Sequence, residues 1–180
     1  MELQQTVIWT IGHSTHSMEA FLEMLRSFGI GALADVRRFP ASGKYPHFNQ
    51  QRMEQWLAAA SIEYVWLPEL GGRRKPLRDS HNTIWRNASF RGYADYMETE
   101  PFRDGIERLL QVAHQRPTAL MCAEAVWWRC HRALIADYLK ARGIDVIHIL
   151  SSAKSSPHPY TSAARIVDGK LTYLESANAL

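Results

Sequence analysis

Residues 6–36 read strand, helix, strand, and that order restricts the chain to few architectures. "TVIWTI" (6–11) is a short run rich in β-branched and aromatic residues that ends at Gly12. Ser17 stands where a helix N-cap belongs. Met18, Phe21, Leu22 and Leu25 follow at i, i+3, i+4 and i+7, which makes one apolar helix face. Gly29 is placed to stop that helix, and "GALADV" supplies a second strand ending near Asp35 and Val36. Two strands joined through a helix over ~30 residues form a parallel βαβ unit, since antiparallel neighbours are joined by a short turn instead.

The alternation continues. Asn49 can cap a helix carrying Met53, Trp56, Leu57 and Ala60 on one face, and "IEYVWLPEL" is a third strand. Residues 72–90 show no clear period, and a loop of that length in a compact domain is often functional. Helical spacing returns in "GYADYM" and in Phe102, Ile106, Leu109, Leu110 and Ala113. "PTALMCAE" is a fourth strand, a helix spans 131–142, and "DVIHIL" is a fifth strand. The tail begins polar and flexible, then offers a small hairpin around Asp168-Gly169. The expectation is a single α/β domain over 1–180: Rossmann-like, three-layer, with a mainly parallel sheet and helices on both faces. Its core covers 6–150, and 151–180 form a small C-terminal extension.

The 180 residues are 46% hydrophobic and 22% charged, a soluble globular balance, and no apolar run approaches the ~20 residues of a membrane span. "MELQQTVIWT" has no basic leader pattern, so no membrane partner and a cytoplasmic location are expected. In that compartment the two cysteines are expected as thiols, with no disulfide needed for folding. The net charge of +3 is diffuse, but the arginines bunch in "DVRRFP", "GGRRKPLR" and "WWRCHR".

In open parallel sheets, ligands bind outside the carboxyl ends of the strands, where strand order reverses. The unusual polar residues fall just there: Gly12-His13-Ser14 after strand one, Asp35-Val36-Arg37-Arg38 after strand two, Cys122-Ala123-Glu124 after strand four. Cys122, at a strand end leading into a helix, is a candidate nucleophile, although the loop to Arg129 is one residue longer than a phosphatase loop and lacks glycine. The alternative is a buried thiol that only packs. In an extended strand Glu124 faces the same way as Cys122 and can act as an acid or base, or form an ion pair with Arg37, Arg38 or Arg132. His131 is either an acid or base or a capping residue, and Cys130 is read as packing. Arg132 in the first helical turn suits an anion, with Arg37 and Arg73 beside it. Asp35 and Arg37 share a face, as site groups or as a structural pair. A metal held by Cys122, Glu124, Cys130 and His131, with His13 and Asp35 nearby, is a weaker alternative because Cys-x7-Cys lacks zinc-motif spacing.

"TIGHST", "DVRRFPASGKYPHFN", "YVWLPELGG" and "LMCAEAVWWRCHR", taken in order, resemble an uncharacterised bacterial family, domain of unknown function 488. The resemblance implies a single α/β domain and marks those segments as signature positions; it implies no activity. One departure stands out, Trp127-Trp128-Arg129, where a more polar, proline-bearing connection is expected.

The combined reading is an enzyme or a ligand-binding domain, with no cofactor or reaction type assigned. Its cleft takes an anionic, phosphate-bearing or nucleotide-like small molecule. Cys122, Glu124 and His131 are the candidate catalytic groups, and His13, Ser14, Asp35, Arg37, Arg73 and Arg132 the candidate binding groups. The rival reading is a non-catalytic nucleic-acid-binding module using basic loops and exposed tryptophans.

Overall fold

The computed structural model describes residues 6–175. In chain order the elements are β1 (Val7–Gly12), α1 (Met18–Ser27), β2 (Ala32–Asp35), α2 (Gln50–Ala59), β3 (Glu63–Trp66), α3 (Ala88–Tyr96), α4 (Glu100–Gln115), β4 (Thr118–Cys122), α5 (Arg132–Ala141), β5 (Asp145–Ser151) and β6 (Lys154–Pro157), followed by the hairpin strands β7 (Arg165–Val167) and β8 (Lys170–Thr172). The main sheet runs β3-β2-β4-β1-β5-β6, parallel except for β6.

Strand periodicity builds the three layers. Ile11, Leu33 and Met121 point to one face, where Phe21 and Leu25 of α1 and Met53 and Leu57 of α2 cover them. Ile8, Ala34 and Leu120 point to the other, under Phe102, Ile106 and Leu109 of α4 and Leu134, Ile135 and Leu139 of α5. Successive strand residues face opposite ways, so one apolar run fills two cores. This is the expected Rossmann-like arrangement with helices on both faces.

Local chemistry explains most boundaries. The Ser17 hydroxyl accepts from Ala20 N at 3.1 Å, and Gly29 ends the turn after α1 at φ +64°. Asn49 sits at the start of α2 but does not cap it; its side-chain oxygen accepts from Ser42 N instead. The irregular stretch before α3 is pinned by Asp95, which accepts from Leu77 N (2.8 Å), Ser80 Oγ (2.6 Å) and Asn82 Nδ2 (2.8 Å). Asp168 and Gly169 turn the C-terminal hairpin with positive φ at both positions. The start of the tail departs from expectation: Lys154–Pro157 is a strand that pairs antiparallel with β5. It carries no apolar alternation because it is a mostly exposed edge strand.

Under the sheet's carboxyl end runs a buried polar chain. Asp137 accepts from His158 Nε2 (2.8 Å), and His158 Nδ1 pairs with His148 Nε2 (2.8 Å). His148 Nδ1 meets Thr10 Oγ1 (2.6 Å), and Thr10 Oγ1 accepts from Arg132 Nη1 (3.3 Å). With the Nε2–H of each imidazole donating along the chain, every link has a donor facing an acceptor. Trp127 stacks on His148 at 4.5 Å and 3°.

Candidate functional site

β1 and β4 are neighbours, yet β1 continues into α1 on one face and β4 into α5 on the other. This is the point where a crevice forms in such sheets. The two exits stay laced together: His13 N donates to Cys122 O (2.9 Å) and Ser14 N to Ala123 O (3.0 Å). Gly12 permits the crossing, since a Cβ there would lie 1.8 Å from Glu124 O.

Above this point opens a cleft of about 770 Å³. It is lined by His13, Arg37, Arg73, Cys122, Glu124 and His131 among the expected residues, and by Arg38, Phe39, Trp128, Arg129 and Cys130 among others. Ser14, Asp35 and Arg132 do not line it.

The reasons are local. Asp35, fully buried, holds Arg37 through Nε (2.9 Å) and Nη2 (2.6 Å), and Tyr64 OH adds a third donor at 2.6 Å. Asp35 and Arg37 are therefore a structural pair, with Arg37 also donating to Phe48 O at 2.8 Å. Arg132 is 1% exposed, and its guanidinium is taken up by Thr10 Oγ1, Glu124 O (2.9 Å) and Ala125 O (3.2 Å). It fastens the loop after β4 from below, facing away from the cleft. The strand ends at Cys122 and the chain bends at Ala123, so strand alternation does not carry on to Glu124. Glu124 is exposed while Cys122 is buried, and among the described residues Glu124 forms no ion pair.

His13 is a neutral wall of the cleft. Its Nδ1 donates to Ser14 O (3.0 Å), its Nε2 faces Arg37 Nη1 (3.3 Å), and its ring stacks on Phe48 at 4.3 Å. Burial and the adjacent Arg37 charge lower it to about 4.

The two thiols differ. Burial pushes Cys122 well up, and its Sγ donates to Glu124 O at 3.6 Å. Burial acts the same way on Cys130, but the neighbouring Cys122 thiol and the nearby Arg132 charge outweigh it and bring Cys130 below its ordinary value. Cys130 Sγ also receives Arg132 N at 3.5 Å and lies 3.4 Å from His131 Nδ1. His131 Nε2 meets Val36 O at 3.1 Å, and a carbonyl only accepts, so Nε2 carries the proton and Nδ1 is free to accept from Cys130. Burial holds this imidazole below its usual range. Gly72 lets it pack closely, because a Cβ there would come within 2.8 Å of Nδ1. Of the two thiols, Cys130, expected only to pack, is the one beside an imidazole, and Cys122, the candidate nucleophile, bonds a backbone carbonyl.

Among the described residues, no group of three or more His, Cys, Asp or Glu side chains is arranged to hold a metal ion. Cys122, Glu124, Cys130 and His131 do not form one, since Glu124 turns outward while Cys122 bonds a backbone carbonyl.

Arg38, Arg73 and Arg129 are the cations that do open onto the cleft. All three are exposed, and none forms an ion pair among the described residues. Arg38 Nη1 donates to Arg73 O (3.1 Å), and Arg73 holds a left-handed φ of +61°. Phe39 (62% exposed) and Trp128 (55%) stand at the mouth. Arg38 escaped sequence reading because alternation was extended past Asp35, where β2 ends.

The model of the family "Domain of unknown function DUF488" matches residues 17–139, more than half of the chain. The chain belongs to the DUF488 family. The match takes in the loops after β2 and β4, Gly72 and the start of α5, and so most of the cleft. No curated protein and no solved structure matches the chain. Among the described residues, no helix is long and apolar enough to cross a membrane.

Proposed function

We propose that the cleft binds an anionic small molecule bearing phosphate or a nucleotide-like group, as the substrate site of an enzyme. The observation that supports this reading is the set of Arg38, Arg73 and Arg129, open to the cleft without carboxylate partners among the described residues. Guanidinium groups match the oxygens of phosphate in a two-pronged geometry. Phe39 and Trp128 at the mouth offer flat apolar faces suited to a base. Glu124 and His131 border the same space and can give or take a proton there.

Melting in phosphate and in chloride at matched ionic strength tests the reading. A ligand that binds only the folded protein raises its Tm. Phosphate should raise the Tm of the wild type and lose that effect in Arg73→Gln and Arg129→Gln; identical melts in both salts reject the reading.

The nucleic-acid reading draws on the same arginines and aromatic rings. Oligonucleotide affinity that falls steeply between low and moderate salt would favour it, because each neutralised phosphate releases counterions.

A further inference from the structure

Cys130 and Cys122 are separate in sequence but both border the floor of the cleft, near enough for each thiol to shift the other's acidity. They form no disulfide. Cys130 has the surroundings of an activated nucleophile. His131 Nδ1, at 3.4 Å, accepts its proton, and the Val36 carbonyl at 3.1 Å fixes that tautomer from behind. Arg132 N at the start of α5 points at the sulfur, 3.5 Å away. The Arg132 side chain adds an independent sign. It is buried, its charge acts on both sulfurs, and its Nε–H has no hydrogen-bond partner among the described residues. A buried cation whose charge reaches two sulfurs is a setting that favours an anionic one.

We infer that Cys130 and Cys122 are a peroxide-reactive dithiol, with Cys130 as the attacking sulfur, His131 as its base, and Cys122 as the thiol that closes the disulfide. Exposure selects the oxidant. Cys130 is 8% exposed and Cys122 2%, so a protein disulfide cannot reach them in line, whereas hydrogen peroxide can.

Cys130 passes its proton to His131 Nδ1, and the thiolate attacks one peroxide oxygen. An S–O bond forms and the O–O bond breaks; the departing hydroxide takes the proton from His131 and leaves as water. Cys130 is then a sulfenic acid, oxidised by two electrons. The Cys122 sulfur attacks the Cys130 sulfur, the S–S bond forms and the S–O bond breaks. The released hydroxide takes the Cys122 proton as a second water. An external dithiol returns the pair to the reduced form by two exchange steps. Neither step uses the arginines of the rim, so the inference goes beyond the anion reading and does not depend on it.

The test treats reduced protein with stoichiometric hydrogen peroxide in phosphate-free buffer, followed by intact mass and peptide mapping with thiol alkylation. One intramolecular Cys122–Cys130 disulfide, reversed by dithiothreitol, is expected. Cys122→Ser should stop at a sulfenic acid on Cys130, trapped by dimedone. Cys130→Ser should consume peroxide about tenfold more slowly or worse, since Cys122 is the protonated thiol. His131→Gln should slow the wild-type reaction while leaving the disulfide as its product. The wild-type result stands even if a variant does not fold. Two alkylatable thiols after peroxide, or overoxidised Cys130 without a disulfide, would overturn the inference. So would a dimedone adduct on Cys122 of Cys130→Ser formed at the wild-type rate.

Discussion

Gly12 lets two chain segments cross at a separation that no side chain tolerates. A methyl group there meets the Glu124 carbonyl and carbonyl carbon, which are backbone atoms that cannot swing aside. Gly12→Ala should therefore displace the whole loop after β4, and urea unfolding should show a loss of several kcal/mol, on the scale of severe overpacking. The buried ions make separate predictions. Asp35→Asn removes the partner of a buried guanidinium, and a loss of about 3–5 kcal/mol is expected. Arg132→Gln removes the donors to Glu124 O and Ala125 O, so it should destabilise the protein on the order of 3 kcal/mol, equally in chloride and phosphate. A deficit confined to phosphate would instead place Arg132 on the ligand. Arg132 and Arg73 look alike in the sequence, each next to a helix start or turn. What separates them is which side of the β4–α5 loop each reaches, and that depends on a crossing set by Gly12 and by residues far away.

At the scale of elements, α5 joins two functions. Its N-terminal end carries the cleft, and its buried Asp137 anchors the tail through Thr161, Tyr173 and His158. Asp137→Asn leaves the geometry in place, but the amide cannot accept from all four donors. The hairpin should loosen first, seen as faster amide exchange in 165–172 than in β1 or β4. How legible each element was followed from how far its causes lie along the chain. α1 was readable because Ser17, the apolar stripe and Gly29 are local causes. The Asp168-Gly169 turn was readable for the same reason. β6 was not, since Lys-Ser-Ser-Pro becomes a strand only by lying along the edge of β5. The site followed the same rule. Strand ends named the loops that meet, and His13, Arg37, Arg73, Cys122, Glu124 and His131 do border one cleft. Which thiol faces His131 required the bend at Ala123 and the short helical turn at Trp127–Arg129.

The whole molecule holds several imidazoles neutral, and that gives its stability a direction in pH. Burial, with the Arg37 charge, lowers His13 to about 4; burial, His158 and Arg132 lower His148 to about 3; burial lowers His131. The unfolded chain takes up these protons near pH 6.5, before the folded one does. Stability is thus complete above that value and declines as pH falls toward the folded values, by about 1.4 kcal/mol per pH unit for each histidine. Urea midpoints should drop steadily between pH 6.5 and 4.5. A flat profile would mean that the folded protein accepts those protons.

The strand order also has a consequence for synthesis. β1 lies at the centre of the sheet, and its partners are far downstream: Ile8 pairs with Thr118 on one side and Val146 on the other. On a ribosome that adds about 5–20 residues per second, "VIWTIG" waits several seconds or more with both edges open. Meanwhile β2 and β3, which pair directly, can already form. The growing chain must therefore shield this central strand longest. That makes the nascent polypeptide, more than the finished protein, the form with an open strand edge to protect from association.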